Sequence, residues 1–587
     1  MTTIKNNLKH ILLSILTFIS VYKHIDIIVK IQPLVYILYI LFIILLFLYY
    51  KKLYKNIKIN KIYEIFTIIL SFILVLGYSY EVTSTGKLLW GSVPNFLISL
   101  IKISGYYYFF KTFIYYFIKF MKKEYISNNK IIKKFSEHPY LYSFVFLSIC
   151  YGIFIILYYP GIINYDNANQ IKEMMGMHTR YLDAINPISD STLTNFNPII
   201  HTIMLGGLFK VGYIIGNVNF GMFLYTLIQM IIVISIYSYA IVYAVKQRIS
   251  PIYSFIVLII LGLIPTFGYY SITAVKDTLY TAFLLLFSIK VYDFVKKDNT
   301  SKLDYLNIFL TSMLVCLFRN NGFYIVVITI PFLLISKKKL PILGTFFLVI
   351  ISYMLFNNLL LPALGISGTS VREMLSIPFQ QTARLVKLKG EEVSEEDRLV
   401  IDKILDYENL AKDYNEDLSD PVKNKYNKDA ENKDLIEYFG VWFKGLIKHP
   451  IIYVDATINN ITSYFYPYES SWKVYHKLNR KLPEAGFDYH YNNLSTGRKI
   501  MHSYEIFTEY SPVGLILNMG IITWFSILVF LMLCNKNRNY IFLIPNIISL
   551  LFCVLSPANT YYRYIYPSLV LVICMLPLIK KGIESNN

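Results

Sequence analysis

The sequence predicts an all-α polytopic membrane protein with a mostly helical extracytoplasmic domain. Three observations predict it. Of 587 residues, 55% are hydrophobic and only 16% charged, and mean hydropathy is +0.48. An average soluble domain carries roughly a quarter charged residues, so intrinsic disorder and an ordinary cytosolic enzyme are both poor fits. Apolar stretches of roughly 20 residues, the length that crosses a bilayer, recur along nearly the whole chain. The one long polar stretch, 366–510, repeats its apolar residues every three or four positions, the period of an amphipathic helix.

The net charge of +19 has a telling distribution. Residues 366–510 hold 23 acidic and 19 basic residues, so the positive excess lies elsewhere. It sits in short loops such as Lys51-Lys52-Leu53-Tyr54-Lys55, Lys122-Lys123, Lys133-Lys134 and Lys337-Lys338-Lys339. Short lysine-rich loops face the cytoplasm. The charge therefore reads as topology and not as a nucleic-acid surface. The five cysteines lie in or beside apolar runs, with neither a metal-type spacing nor a disulfide framework. The apolar run Ile11–Ser20 lacks a small-residue cleavage site and reads as a retained membrane segment.

Taken in order, residues 1–135 form an N-terminal block of four membrane helices near 10–29, 31–50, 62–80 and 95–119. Residues 136–361 form a membrane core whose first outer loop spans 160–197. Residues 362–510 form the extracytoplasmic domain, and 511–587 a final three-helix block. The basic loops 51–61, 120–140, 296–303, 337–340 and 535–539 place the two polar segments outside. Four candidate spans then lie between loop 160–197 and loop 296–303, where an odd number of crossings is required. The weakest is 198–216, which holds His201, Lys210 and four glycines. It is expected to be re-entrant or a short helix over the site. In the outer domain, helices are expected over Glu396–Lys412, from Ser419-Asp420-Pro421, and over Lys433–Lys448 up to His449-Pro450.

Polar residues cluster at the predicted outer ends of the spans. Pro160 ends a membrane helix, and Asp166-Asn167 follows six residues later, within reach of a lipid headgroup. A carboxylate there can serve as general base for an acceptor hydroxyl; equally, it could cap a helix or make a turn. Lys276-Asp277-Thr278 lies between apolar runs, as either a site or a mutual surface pair. Arg319-Asn320-Asn321-Gly322, Arg563-Tyr564 before Pro567, and Asn197-Pro198 with His201 complete the set. Charges left in hydrocarbon cost about 2.5–3.5 kcal/mol and usually face cavities or partners. Neither Arg319 nor Arg563 has an acidic residue within four positions, so no local salt bridge accounts for either.

This ordered series resembles the GT-C class of polytopic glycosyltransferases, and more closely the bacterial DUF6020 family. The resemblance rests on Pro160-Gly161 through Asp166, Asn197-Pro198 with His201, Lys276-Asp277-Thr278, Arg319-Asn320-Asn321-Gly322 and Arg563-Tyr564. In the outer domain it rests on Ser376–Arg384, Ser419–Lys423 and His449-Pro450. It covers about 140–580 and departs at Asn197, where related GT-C proteins often have His or Pro. It implies a GT-C-like helical bundle in the bacterial plasma membrane. The implied activity is inverting transfer of a sugar from a polyprenyl-phosphate-linked donor to a cell-envelope glycan, lipid or protein acceptor. Asp166 would be the catalytic carboxylate, and Lys276, Arg319 and Arg563 would bind the donor phosphate. Asn167, Asn197, His201, Asp277, Asn320 and Asn321 would support them. A divalent cation, Mg or Mn, could be held by Asp166 and Asp277, although some GT-C enzymes dispense with metal. Membrane lipids are the other expected partner. The alternatives are an O-antigen polymerase or ligase, which would not need the early-loop aspartate, and a lipid or small-molecule transporter, which tends to show inverted repeats absent here.

Overall fold

In the computed structural model the described residues are the whole chain except 1, 29–31, 55–56, 124, 126–128, 336–338, 468–472, 478–481, 483–489, 535–537, 556–557 and 585–587. The basic loops 337–340 and 535–539 therefore fall largely outside them. The described chain is helical, with three isolated β-bridges and no strand. Seven helices are long and apolar enough to cross a membrane, and an eighth span is possible from a bent pair. The chain is thus a multi-pass membrane protein.

The N-terminal block consists of helices Thr2–Ile28, Gln32–Leu53, Lys61–Thr83 and Val93–Lys122. The expected span 251–270 is broken. Helices Pro251–Leu263 and Pro265–Ile272 meet at 64°. Pro265 has no N–H to continue the first helix and starts the second instead. The last helix runs Tyr562–Glu584, several residues longer at its start than the expected 567–580, so Arg563 sits in its first turn.

One end of the bundle gathers the starts of helices Val218–Lys246, Lys276–Lys296 and Tyr562–Glu584, with the end of Pro139–Leu157. The opposite end is closed by lysines. Lys580 donates to the carbonyls of Met121 and Lys123, and Lys581 donates to that of Gln247. These carbonyls lie at helix C-termini, where the last turn leaves acceptors without intrahelical partners. The helix Ile199–Ile214 packs antiparallel on the first turns of Val218–Lys246, with Gly212 against Gly221 and His201 reaching Tyr225. It begins beside the site and returns to the start of its neighbour, and at 16 residues it is shorter than the seven helices long enough to cross a membrane.

Within the polar segment, Phe379, Ile401, Leu405, Val422 and Tyr438 share a core of their own. Residues beyond Pro450 instead join the membrane bundle: Asp455 accepts from Tyr80, and Tyr464 and Tyr466 are in the main core. The expected helix 396–412 is two helices, Glu395–Asp402 and Tyr407–Asp413. Asp406 interrupts it by accepting the N–H of Asn409, a local cap that competes with helix continuation. The third expected helix spans Asn432–Lys448 and stops at His449-Pro450.

Candidate active site

The loop that begins at Pro160 is fixed against the break between two bundle helices. Ile162 donates to the Ile272 carbonyl, and Ala274 donates back to that of Ile162. Gly161 makes the approach with φ +132°, and a side chain there would meet Thr226 Oγ1 at 2.2 Å, so only glycine fits. A short loop helix, Tyr165–Met174, starts immediately after. Its cap is Asn164, in a reciprocal capping box with Asn167. Asp166 is therefore released from capping, and its side chain points elsewhere.

Asp166 Oδ2 meets Arg563 Nη1 at 2.6 Å, and Oδ1 accepts from the Tyr181 hydroxyl at 3.2 Å. Tyr181 in turn accepts from Asn197 Nδ2, and Asn197 Oδ1 accepts from Lys276 Nζ at 2.7 Å. Lys276 and Asp277 do not pair with each other. Asp277, fully buried, faces Arg319 Nη1 at 3.0 Å. The Tyr564 ring lies 5.2 Å from the Arg319 guanidinium and 5.3 Å from that of Arg563. Both ion pairs thus lie against the Tyr564 ring, and Lys276 is within electrostatic reach of all four charges. Each arginine has a carboxylate partner from another helix, which the local sequence did not suggest.

The Asp166 side chain is 21% exposed, and that of Asp277 is 0% exposed. Burial alone would push the Asp166 carboxyl up; the Arg563 and Lys276 charges and the Arg563 hydrogen bond hold it at about 2. It is ionised across the physiological range. Two turns along the same helix face, Glu173 is buried, and burial pushes its carboxyl up to about 8 despite the bond from Thr194 Oγ1. One helix thus carries an ionised and a protonated carboxyl.

His201 belongs to a buried scaffold. Gln170 Nε2 donates to its Nδ1 at 3.0 Å, so Nδ1 is the acceptor and Nε2 carries the proton toward Tyr225. Tyr225 donates to Gln229, whose amide donates to the Ser271 and Thr273 carbonyls. Asn167 donates to the Ala274 carbonyl and to Gln170. Asn320 donates to the Asn195 carbonyl. Asn321 precedes helix Gly322–Leu333 and lines a narrow crevice with Tyr280, Arg319 and Tyr564. Asp166, Asn197, Lys276, Asp277, Arg319 and Arg563 therefore converge. Asn167 and Asn320 hold the backbone around them, and His201 braces Gln170 against Tyr225.

Sequence reasoning missed Tyr181, Arg180, Glu173 and Tyr475, and named Tyr564 only as the neighbour of Arg563. Arg180 stacks over Tyr165 at 4.2 Å, and Tyr475 approaches Asn164 and Arg563. Tyrosine is so abundant here that no local signal separates these from interface anchors. Tyr564, beside Arg563, is the exception.

A model of a family of unknown function, DUF6020, matches residues 38–585. The chain belongs to the DUF6020 family. The match begins in the second helix, so most of the N-terminal block is part of what defines DUF6020, beyond the 140–580 to which the sequence resemblance extended. No curated protein and no solved structure matches this DUF6020 chain.

A divalent cation on Asp166 and Asp277 does not fit this DUF6020 site. Both carboxylates already hold arginines, and Lys276 adds a third cation beside them.

Proposed function

We propose that the chain is a membrane glycosyltransferase that moves a sugar from a polyprenyl-phosphate-linked donor to a cell-envelope acceptor at the extracytoplasmic face of a bacterial plasma membrane. The observation that carries this reading is the meeting of one partly exposed, ionised carboxylate with three cations at one end of the bundle. A phosphate leaving group needs charge stabilisation more than a proton. Arginine presents a planar fork suited to phosphate, and Lys276 adds a point charge.

In the resting arrangement Arg563 neutralises Asp166. A donor phosphate competes for that guanidinium, and the freed carboxylate then takes the acceptor hydroxyl proton. Displacement by that oxygen inverts the anomeric centre, and the lipid phosphate departs between Arg319, Arg563 and Lys276. The placement of residues 366–510 outside follows from the same orientation. It is supported by the lysine-closed end of the bundle lying opposite the cluster.

Native mass spectrometry of the detergent-solubilised chain with polyprenyl phosphate tests this. The wild type should retain one lipid phosphate, and Arg563→Ala combined with Lys276→Ala should lose it. Equal retention by both proteins would remove the cationic cluster from donor binding.

A further inference from the structure

Residues 473–477 lie beside the candidate active site as a short strap. Tyr475 sits against Asn164 and Arg563, and Val474 and Tyr475 pack on the main core. The strap is tied to helix Ser495–Tyr510 at two successive turns. Lys473 Nζ meets Glu509 Oε1 at 2.7 Å. One turn earlier, His476 Nε2 meets Glu505 Oε2 at 3.0 Å, and His502 Nδ1 meets the same oxygen at 3.2 Å.

The geometry points to a metal site formed by His476, His502 and Glu505, which takes a divalent cation of zinc's class and locks the strap beside the cluster. The three ligand atoms lie within 4.8 Å of one another. Tetrahedral zinc with bonds of about 2.0–2.2 Å separates its ligand atoms by about 3.3 Å, close to the two contacts observed. Imidazole nitrogen with carboxylate oxygen is a donor set that zinc prefers and that magnesium and calcium do not. His502 and Glu505 stand three residues apart, so they share one helix face by construction. His476 has no competing structural use for its ring: its Nδ1 is buried without a hydrogen-bond partner, so its polar contacts all go to Glu505. The ring is held in place edge-on against Tyr269, with centroids 4.9 Å apart. The Lys473–Glu509 pair occupies the neighbouring carboxylate, which leaves Glu505 to the histidines. Three protein ligands leave a fourth position for water. The site is separate from Asp166 and Asp277 and does not depend on the proposed reaction.

The full chain, freed of any affinity tag and washed with chelator in detergent, should bind one equivalent of Zn²⁺ here by calorimetry and elemental analysis. Its melting temperature should rise with Zn²⁺ and fall back on chelation. His502→Ala and Glu505→Gln should each weaken this binding by more than the roughly 10–100-fold typical of losing an outer partner of a ligand. His502→Ala should keep the wild-type elution profile and metal-free melting temperature, since His502 is 54% exposed, and Glu505→Gln should keep the elution profile. No saturable zinc binding to the wild type would overturn the assignment. So would binding unchanged in both variants, which would place the zinc elsewhere.

Discussion

The two ends of the helical bundle use charge in opposite ways. At the site end, cations meet carboxylates from distant parts of the chain: Arg563 meets Asp166, and Arg319 meets Asp277. At the other end, Lys580 and Lys581 meet backbone carbonyls at the ends of two other helices. The second arrangement is structural, because a cation at a helix C-terminus satisfies acceptors and complements the dipole. The first exceeds what structure requires. Removing two charges from water is costly, and a well-packed apolar pair of equal size is often at least as stable. The proposed binding of a lipid phosphate would give this costly cluster a use.

The largest expected effect breaks this comparison at its most buried point. Asp277→Ala leaves Arg319 without its partner and should destabilise the protein by about 3–5 kcal/mol. Asp277→Leu combined with Arg319→Met should recover much of that loss. Thermal unfolding in detergent distinguishes the two outcomes. A double variant as unstable as the single one would make the pair a stabilising element after all.

Lys580→Met at the opposite end should cost about 1–3 kcal/mol, because it strands two helix-end carbonyls. It should leave binding of polyprenyl phosphate unchanged. Loss of lipid binding would show that the two ends are coupled and would blur the contrast.

A third effect, spread over pH, concerns Glu173, the protonated carboxyl beside Asp166 on the loop helix. Its folded state keeps a proton that the unfolded state releases, so stability is greatest below the ordinary 4.5 and falls as pH rises to about 8. The expected slope is about 1.4 kcal/mol per pH unit at most. Glu173→Gln should flatten this decline in a series of melting curves. An unchanged slope would mean that Glu173 is ionised in the fold.

Much of this was legible in the sequence, and for one reason. Charged residues at the ends of apolar runs are costly, so Asp166, Lys276, Asp277, Arg319 and Arg563 stood out without any structure. Which of them pair with which did not. Asp166 and Arg563 are 397 residues apart, and nothing local announces the pair. The break at Pro265 carried a visible signal in the proline itself, yet the unbroken apolar run outweighed it. The extra turn before Pro567 had the opposite cause: proline in a first turn suggests a start, but neighbouring packing lets the helix begin at Tyr562. The scaffold role of His201 was hidden because a histidine's use depends on which groups meet its two nitrogens. Those groups, Gln170 and Tyr225, come from separate helices.

The central claim is that Asp166 activates an acceptor against a lipid-phosphate sugar. The most direct measurement is release of polyprenyl phosphate from a panel of labelled polyprenyl-phosphate monosaccharides, using vesicles of the full chain with cell-envelope extract as acceptor. One member of the panel should be consumed by the wild type. Asp166→Asn, an isosteric but far poorer base, should lower that rate by about 10²–10⁴-fold while retaining the lipid phosphate and the elution profile of the wild type. Equal turnover by wild type and Asp166→Asn, or no turnover of any member of the panel by the wild type, would contradict the account.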